Sequence, residues 1–486
     1  MIYNVKIFDR QKVTQKMQSE NERKLLQYKK MTETPVPKLV LKLAVPTTIS
    51  MVISSIYNMA DTYFVACLDD TSATAAVSVV FALMAIIQAV GFTIGMGAGS
   101  WISRLLGEQK NEKASSVGTS AVVFGISFGL LIMIFGRIFV GPLMLLLGAT
   151  DTILPHAVSY GQYILFAAPV MVLSFTLNNI LRAEGKATFS MIGIGLGGLL
   201  NMALDPIFIF DFGLGLGVSG AAIATAISQC VSCTLLLCPF IFGKTSVKFS
   251  IKSISGNIRD YLDVVRFGLP SFCRQGLSSF SSVLLSRSAK TFAGIYADPA
   301  IAGMGVVSRV FMFVFSLCLG LGQGYQPVLG FNYGAKKYER VKKAFNFTFI
   351  ASTVMFTVAA VAGFVFAPSL MRFFSENDEK MVEVAISAFR AQCVSMPFIP
   401  VGVMCNMTFQ SLGRSTVATF LSSLRQGLFY IPIMLILPHY IGLLGVEYTQ
   451  AISDILTCAV SVPFAVLFLR EINRNIATQA TGREKE

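Results

Sequence analysis

The stretch Asn201–Phe210, NMALDPIFIF, closes an apolar run that opens near Thr188. A run of this length reads as a helix crossing a membrane, which takes about 20 apolar residues. Within it stand Asn201, Asp205 and Pro206. A carboxylate at membrane depth is costly, so an intramembrane acid marks a functional site that needs a partner. Asn201 and Asp205 are four residues apart and share one helical face.

Around this stretch the chain has the composition of a polytopic membrane protein. Its 486 residues are 54% hydrophobic and 13% charged, against roughly 25% charged in ordinary soluble domains. Residues 1–38 are polar and basic, nine Lys/Arg against four Asp/Glu, so they read as a cytoplasmic tail rather than a cleavable signal. Met31, after Lys29-Lys30, offers a second start, which leaves residues 1–30 as an optional extension or an over-called start. The net charge of +13 does not indicate nucleic acid, because Lys and Arg gather in short loops and tails as the positive-inside rule requires. The nine cysteines and two histidines assemble no zinc cluster or disulfide framework, and Cys230-Val-Ser-Cys233 reads as small-residue packing.

Twelve spans fit the sequence, centred near residues 52, 87, 127, 169, 199, 229, 277, 315, 356, 396, 427 and 457. Loops after even spans carry Lys244, Lys248, Lys252 and Arg259, then Lys336, Lys337, Arg340, Lys342 and Lys343. Loops after odd spans carry Asp69, Asp70, Asp151, Asp211, Asp298, Glu376, Asp378 and Glu379. Both termini are therefore expected in the cytoplasm. The chain also repeats: Ala168-Pro169 aligns with Met396-Pro397, Gly185-Lys-Ala-Thr188 with Gly413-Arg-Ser-Thr416, and Gly217-Val218 with Gly445-Val446, all at an offset of 228. Pro46 aligns with Pro270, and Gly95-x-Gly97-x-Gly99 with Gly320-x-Gly322-x-Gly324. The expected fold is all-α, twelve transmembrane helices in two parallel six-helix repeats, the arrangement of alternating-access transporters. The expected divisions are a basic tail over 1–38, a first lobe over 39–243, a linker over 244–261, a second lobe over 262–470 and a tail over 471–486.

Several motifs do not survive this setting. G-x-G-x-x-G at Gly193, Gly195 and Gly198, and again at Gly215, Gly217 and Gly220, lacks the strand a dinucleotide site requires, so close helix packing is the better reading. Gly243-Lys244-Thr245 resembles the end of a P-loop, but Cys238 stands where its first glycine belongs.

Five blocks carry a family resemblance: Tyr57-Asn-x-x-Asp61-x-x-Phe-Val65, Leu181-Arg-Ala-Glu-Gly185, Asn201-x-x-x-Asp205-Pro206, Gly217-Val-x-Gly-Ala-Ala-Ile-Ala224, and Gly320-x-Gly-Gln-Gly-x-Gln-Pro327 through Asn332-Tyr-Gly-Ala335. From about Leu39 to Arg470 the chain resembles the multidrug and toxic compound extrusion (MATE) family, nearest its MepA-like bacterial branch. The resemblance implies a two-lobed antiporter of the cell membrane, expelling organic cationic or amphipathic compounds in exchange for H⁺ or Na⁺. It implies no enzyme activity, no cofactor and no bound structural metal, with small molecules and membrane lipid as partners and a monomeric state. The matching positions assign the cation or proton site to Asp61, Asn201, Asp205 and Thr225. Depth agrees: Asp61 and Asp205 each lie six residues from an outer helix end, roughly 9 Å down, and Thr225 roughly 12 Å. Burial and a neighbouring carboxylate both favour a neutral or cation-loaded pair. Pro46 and Pro206 remove backbone bonds in the same two helices and offer places to bend.

The second lobe lacks the carboxylates of another branch in spans 7 and 10. It carries Arg274, Arg309, Arg390 and Arg425 facing one acid, Asp454. One arginine is expected to pair with Asp454, because a buried unpaired charge is costly, and spacing does not say which. The rival reading makes Arg274-Gln275 and Arg425-Gln426, together with Tyr57, the wall of a substrate cavity. The alternative function is a lipid-linked oligosaccharide flippase of the same superfamily, using cavity arginines on pyrophosphate.

Overall fold

The structure, a computed structural model, describes residues 21–68, 71–293, 297–374 and 379–483. Asp69, Asp70, Glu376 and Asp378 of the acidic loops lie outside these residues. Among the described residues, a helix over 21–33 precedes twelve long helices. The first six are α1 Val36–Ala66, α2 Thr71–Gly107, α3 Asn111–Ile138, α4 Leu154–Ala183, α5 Ala187–Ile209 and α6 Gly217–Ile241. The second six are α7 Ile258–Phe292, α8 Ala297–Gly334, α9 Tyr338–Phe374, α10 Glu379–Ser395 resuming as Ile399–Ser411, α11 Ser415–Ser423 resuming as Tyr430–Ile441, and α12 Leu443–Arg483. Eleven are long and apolar enough to cross a membrane. The other, α7, has the length, at 35 residues, but its inner face is polar because it lines a cavity.

The repeat in sequence is a repeat in contacts. Ser190 Oγ on α5 donates to Asn178 Oδ1 on α4, and at the offset of 228 Asn406 Nδ2 on α10 donates to the Ala418 carbonyl on α11 at 2.6 Å. Gly185 and Gly413 end the fourth and tenth helices with φ of 74° and 76°, a left-handed conformation that favours glycine. The residue before Gly185, Glu184, is buried and receives the backbone N–H of Ser246 at 2.8 Å and of Val247 at 3.1 Å. It thereby ties the loop after α6 to the end of α4, and Lys186 completes the cluster at 3.1 Å.

Close backbone approach explains the glycine triplets. A Cβ on Gly97 of α2 would lie 1.9 Å from the Val264 carbonyl of α7, and one on Gly268 of α7 1.8 Å from the Thr93 carbonyl of α2. On the other side of the interface, Gly320 and Gly324 of α8 press against Thr48 and Ala44 of α1. Each lobe thus sends its second helix onto the first helix of the other. Most G-x-G-x-x-G positions are packing sites as well: Gly193 faces Leu236, Gly198 faces Tyr57 at 3.0 Å, and a Cβ on Gly220 would lie 2.3 Å from the Phe208 carbonyl, whereas Gly215 and Gly217, with φ of 60° and 56°, serve the turn before α6 instead of helix packing.

These interlobe contacts occupy one end of the molecule, where both ends of the described chain also lie. The helix over 21–33 touches both lobes there. Gln27 Nε2 donates to the Glu184 carbonyl at 2.7 Å, while Asn332 Nδ2 and Arg340 NH2 reach the Met31 and Thr34 carbonyls at 3.1 and 2.6 Å. Residues 21–33, in the segment read as a tail, are therefore part of the packed fold. At the other end of the described chain α12 runs on to Arg483, since no proline follows Arg470 and the first glycine, Gly482, comes only in the last turn, and Gln479 Nε2 donates to the Lys336 carbonyl at 3.0 Å.

Candidate functional site

Between the lobes, at the level of mid-helix and beyond, lies a cavity of about 380 Å³. Tyr57, Arg274, Gln275, Arg425 and Gln426 all line it. So do Asn201 and Thr225, which also belong to a buried cluster behind the first-lobe wall. Asn201 Nδ2 donates to Asp205 Oδ1 at 3.0 Å and to Thr225 Oγ1 at 3.3 Å. Asp205 is fully buried, and Asp61 is 4% exposed and close enough to act electrostatically on it. Among the described residues, Asp61 Oδ1, Asp205 Oδ2 and Asn201 Oδ1 are buried with no hydrogen-bond partner. Buried acceptors without donors are costly, and three acceptor oxygens in one cluster suit a proton or a hard cation. α1 and α5 bring these groups together because both helices start from the face of the termini and carry their acids near the far end.

Sequence reasoning missed Tyr160 on α4. It is fully buried, lies within electrostatic range of both carboxylates and of Thr225, and among the described residues its hydroxyl completes no hydrogen bond. A signal existed: Tyr160 stands six residues into its helix, at the same depth as the two aspartates, roughly 9 Å. Pro46 and Pro206 lie in α1 and α5, and both helices continue through them.

In the second lobe Asp454 pairs with Arg425. Arg425 Nε donates to Asp454 Oδ1 at 2.6 Å, and Gln450 Nε2 donates to the same oxygen at 2.9 Å. Ser395 Oγ reaches Oδ2 at 3.4 Å. Arg425 also lies over the rings of Phe311 and Phe315, at 5.2 and 4.6 Å. A π turn over Leu424–Leu428 presents this side chain, and Ser453 Oγ donates to the Arg425 carbonyl at 2.5 Å. The two sequence readings of Arg425 therefore hold together, as ion pair and as cavity wall. Two expectations are corrected. Arg309 and Arg390 are exposed rather than deep, Arg390 lying over Phe364 at 5.2 Å, since α8 and α10 turn these positions outward. Asp454 is also not the lobe's single buried acid, for Glu447 is 3% exposed and accepts from Ser387. Its place near the start of α12 disguised it as a loop residue.

The MatE family model matches the chain twice, over residues 46–207 and 276–436, one match in each repeat. The chain belongs to the MATE family. Among curated relatives, the multidrug export protein MepA of Staphylococcus aureus strain MSSA476 is 30% identical over 439 residues, spanning 90% of this chain and 95% of the relative. MepA of Staphylococcus haemolyticus strain JCSC1435 is 28% identical, spanning 93% and 98%. Among solved MATE structures, one in complex with MaL6 superposes with a TM-score of 0.86 at 26% identity, covering 92% of this chain and 99% of that one. An outward-facing multidrug resistance MATE transporter gives 0.85 at 26% identity, covering 91% and 99%. A Pyrococcus furiosus transporter of the MOP superfamily, reported with a binding pocket of reversed polarity, gives 0.84 at 26% identity, covering 92% and 98%.

Proposed function

We propose that this protein is an antiporter of the cell membrane, acting as a monomer with both termini cytoplasmic, that exports organic amphipathic compounds by alternating access in exchange for H⁺ or Na⁺. One observation carries the reading: Asn201 and Thr225 belong both to the buried cluster of Asp61 and Asp205 and to the cavity wall. A cation loading the carboxylates changes the hydrogen bonds these two residues make, and with them the surface offered to a compound in the cavity. Interlobe packing closes the face of the termini, so the cavity opens away from it, which fits an outward-open state. Loading from outside would let α1 and α5 repack around Pro46 and Pro206 and displace the cargo outward. The export names of the relatives agree with this direction.

Such coupling is reciprocal: the factor by which the cation changes compound affinity is the factor by which the compound changes cation affinity. The test measures compound binding to purified protein between about pH 5 and about pH 8, a range over which buried carboxyls can exchange protons, with and without Na⁺. Competition by either ion in the wild type, lost in Asp205→Asn, is expected. Affinity indifferent to both ions in the wild type would return the cluster to helix packing.

A further inference from the structure

The charges on the cavity wall are of the wrong sign for a pocket built only for cations. Three charged side chains line it: Arg274, Arg425 and Asp454. Arg425 and Asp454 neutralise one another at 2.6 Å, with Gln450 and Ser395 completing the carboxylate's bonds. Asp61 and Asp205 stand behind the wall and do not line the cavity. One positive charge remains, and among the described residues Arg274 has no carboxylate, hydrogen bond or aromatic ring against it. Gln275 beside it is engaged across the interface, with Gln88 Oε1 at 3.1 Å.

We propose that Arg274 anchors a carboxylate on an aromatic-bodied, amphipathic cargo held in the cavity between the lobes. The proposal rests on the exporter reading and names the class of compound exported. A guanidinium presents a planar fork that matches a carboxylate with two parallel bonds. Removing such a cation from water without a counter-ion is costly, so a cargo that brings the anion gains what the protein leaves unmet. Ser271 and Ser278, three residues before and four after Arg274, share its helical face and line the same cavity. Ser278, the exposed one, offers a hydroxyl donor to the second carboxylate oxygen, while Ser271 is 1% exposed and held by Gln410 Nε2 at 2.9 Å. Phe92, Phe175 and Met312 on the wall supply the apolar surface for the ring system, and about 380 Å³ is the size of drug-sized ligand sites.

The test uses dansyl-glycine, its neutral methyl ester and the cationic dansyl-cadaverine, which share a fluorophore and differ in charge. Binding is read by fluorescence on purified full-length protein in detergent, so it does not depend on ion coupling and stands apart from the exporter test. Wild type is expected to bind dansyl-glycine about tenfold tighter than the ester, a step of ~1.4 kcal/mol. Arg274→Gln is expected to abolish that preference, and Arg274→Lys to keep part of it because the charge remains without the fork. A wild type that prefers the ester or dansyl-cadaverine overturns the proposal, whatever the variants do. Geranyl pyrophosphate displacing dansyl-glycine at lower concentration than dansyl-glycine itself also overturns it, in favour of a lipid pyrophosphate cargo.

Discussion

A hydroxyl buried without a partner is an expense that selection for stability alone would remove, and Tyr160 carries one beside two carboxylates. If its role is to meet the loaded site, Tyr160→Phe should leave thermal stability unchanged or raise it slightly, because no hydrogen bond is lost. The same variant should weaken ion competition against bound compound by about tenfold, ~1.4 kcal/mol, in the binding assay across pH. An unchanged pH profile would make Tyr160 a packing residue. Asp61→Asn and Asp205→Asn each keep shape and lose titration, so both should abolish ion-driven export in proteoliposomes while keeping near-normal folding. Wild-type export by either one would remove that residue from the site. At this scale the acids and Asn201 were legible because polar groups stand out in apolar runs. Tyr160 was not, because an aromatic residue does not.

Along single helices, the π turn in α11 is the least regular feature and the most informative. Such turns often mark functional sites, and this one rotates Arg425 onto Asp454, Phe311 and Phe315. Removing one partner of a buried ion pair costs about 3–5 kcal/mol, because the other charge is left unpaired. Asp454→Asn should therefore lower the unfolding temperature in detergent, and adding Arg425→Gln should restore much of the loss. Arg274→Gln, Arg309→Gln and Arg390→Gln should restore none, since none of these arginines meets Asp454. Failure of the Arg425 double variant to recover would leave the pair as cavity lining alone. Sequence spacing left four arginines as candidates, because a one-residue change in helical register turns each by 100° and only the π turn selects among them.

Across the molecule, closure of one face depends on backbone touching backbone. Ala at Gly97 places a methyl 1.9 Å from the Val264 carbonyl, so α2 and α7 must separate. Gly97→Ala should shift the population toward states open at the face of the termini. The readout is labelling of a cysteine at Ser103→Cys, a position 2% exposed beside Gly330, in a background without other cysteines. A rise of about tenfold, equivalent to ~1.4 kcal/mol of population shift, is expected. Unchanged labelling would mean that the interlobe seam is not the moving gate.

The repeat, the twelve helices and the acids of the first lobe were written in one dimension, because apolar length and self-similarity need no knowledge of which faces meet. Which faces meet was decided only in three dimensions. The offset of 228 pairs Asn178 with Asn406 in matching contacts, yet the same offset sets Asn201 and Asp205 against Phe429 and Ile433. The two lobes thus share a scaffold and not a site. Rotation about each helix axis fixed the rest: it hid Asp61 and Asp205 behind the cavity wall, turned Arg309 and Arg390 outward, and left Arg274 facing the cavity without a partner among the described residues. Hydrophobic periodicity is blind to such choices on helices apolar nearly all round, and packing between them makes the selection.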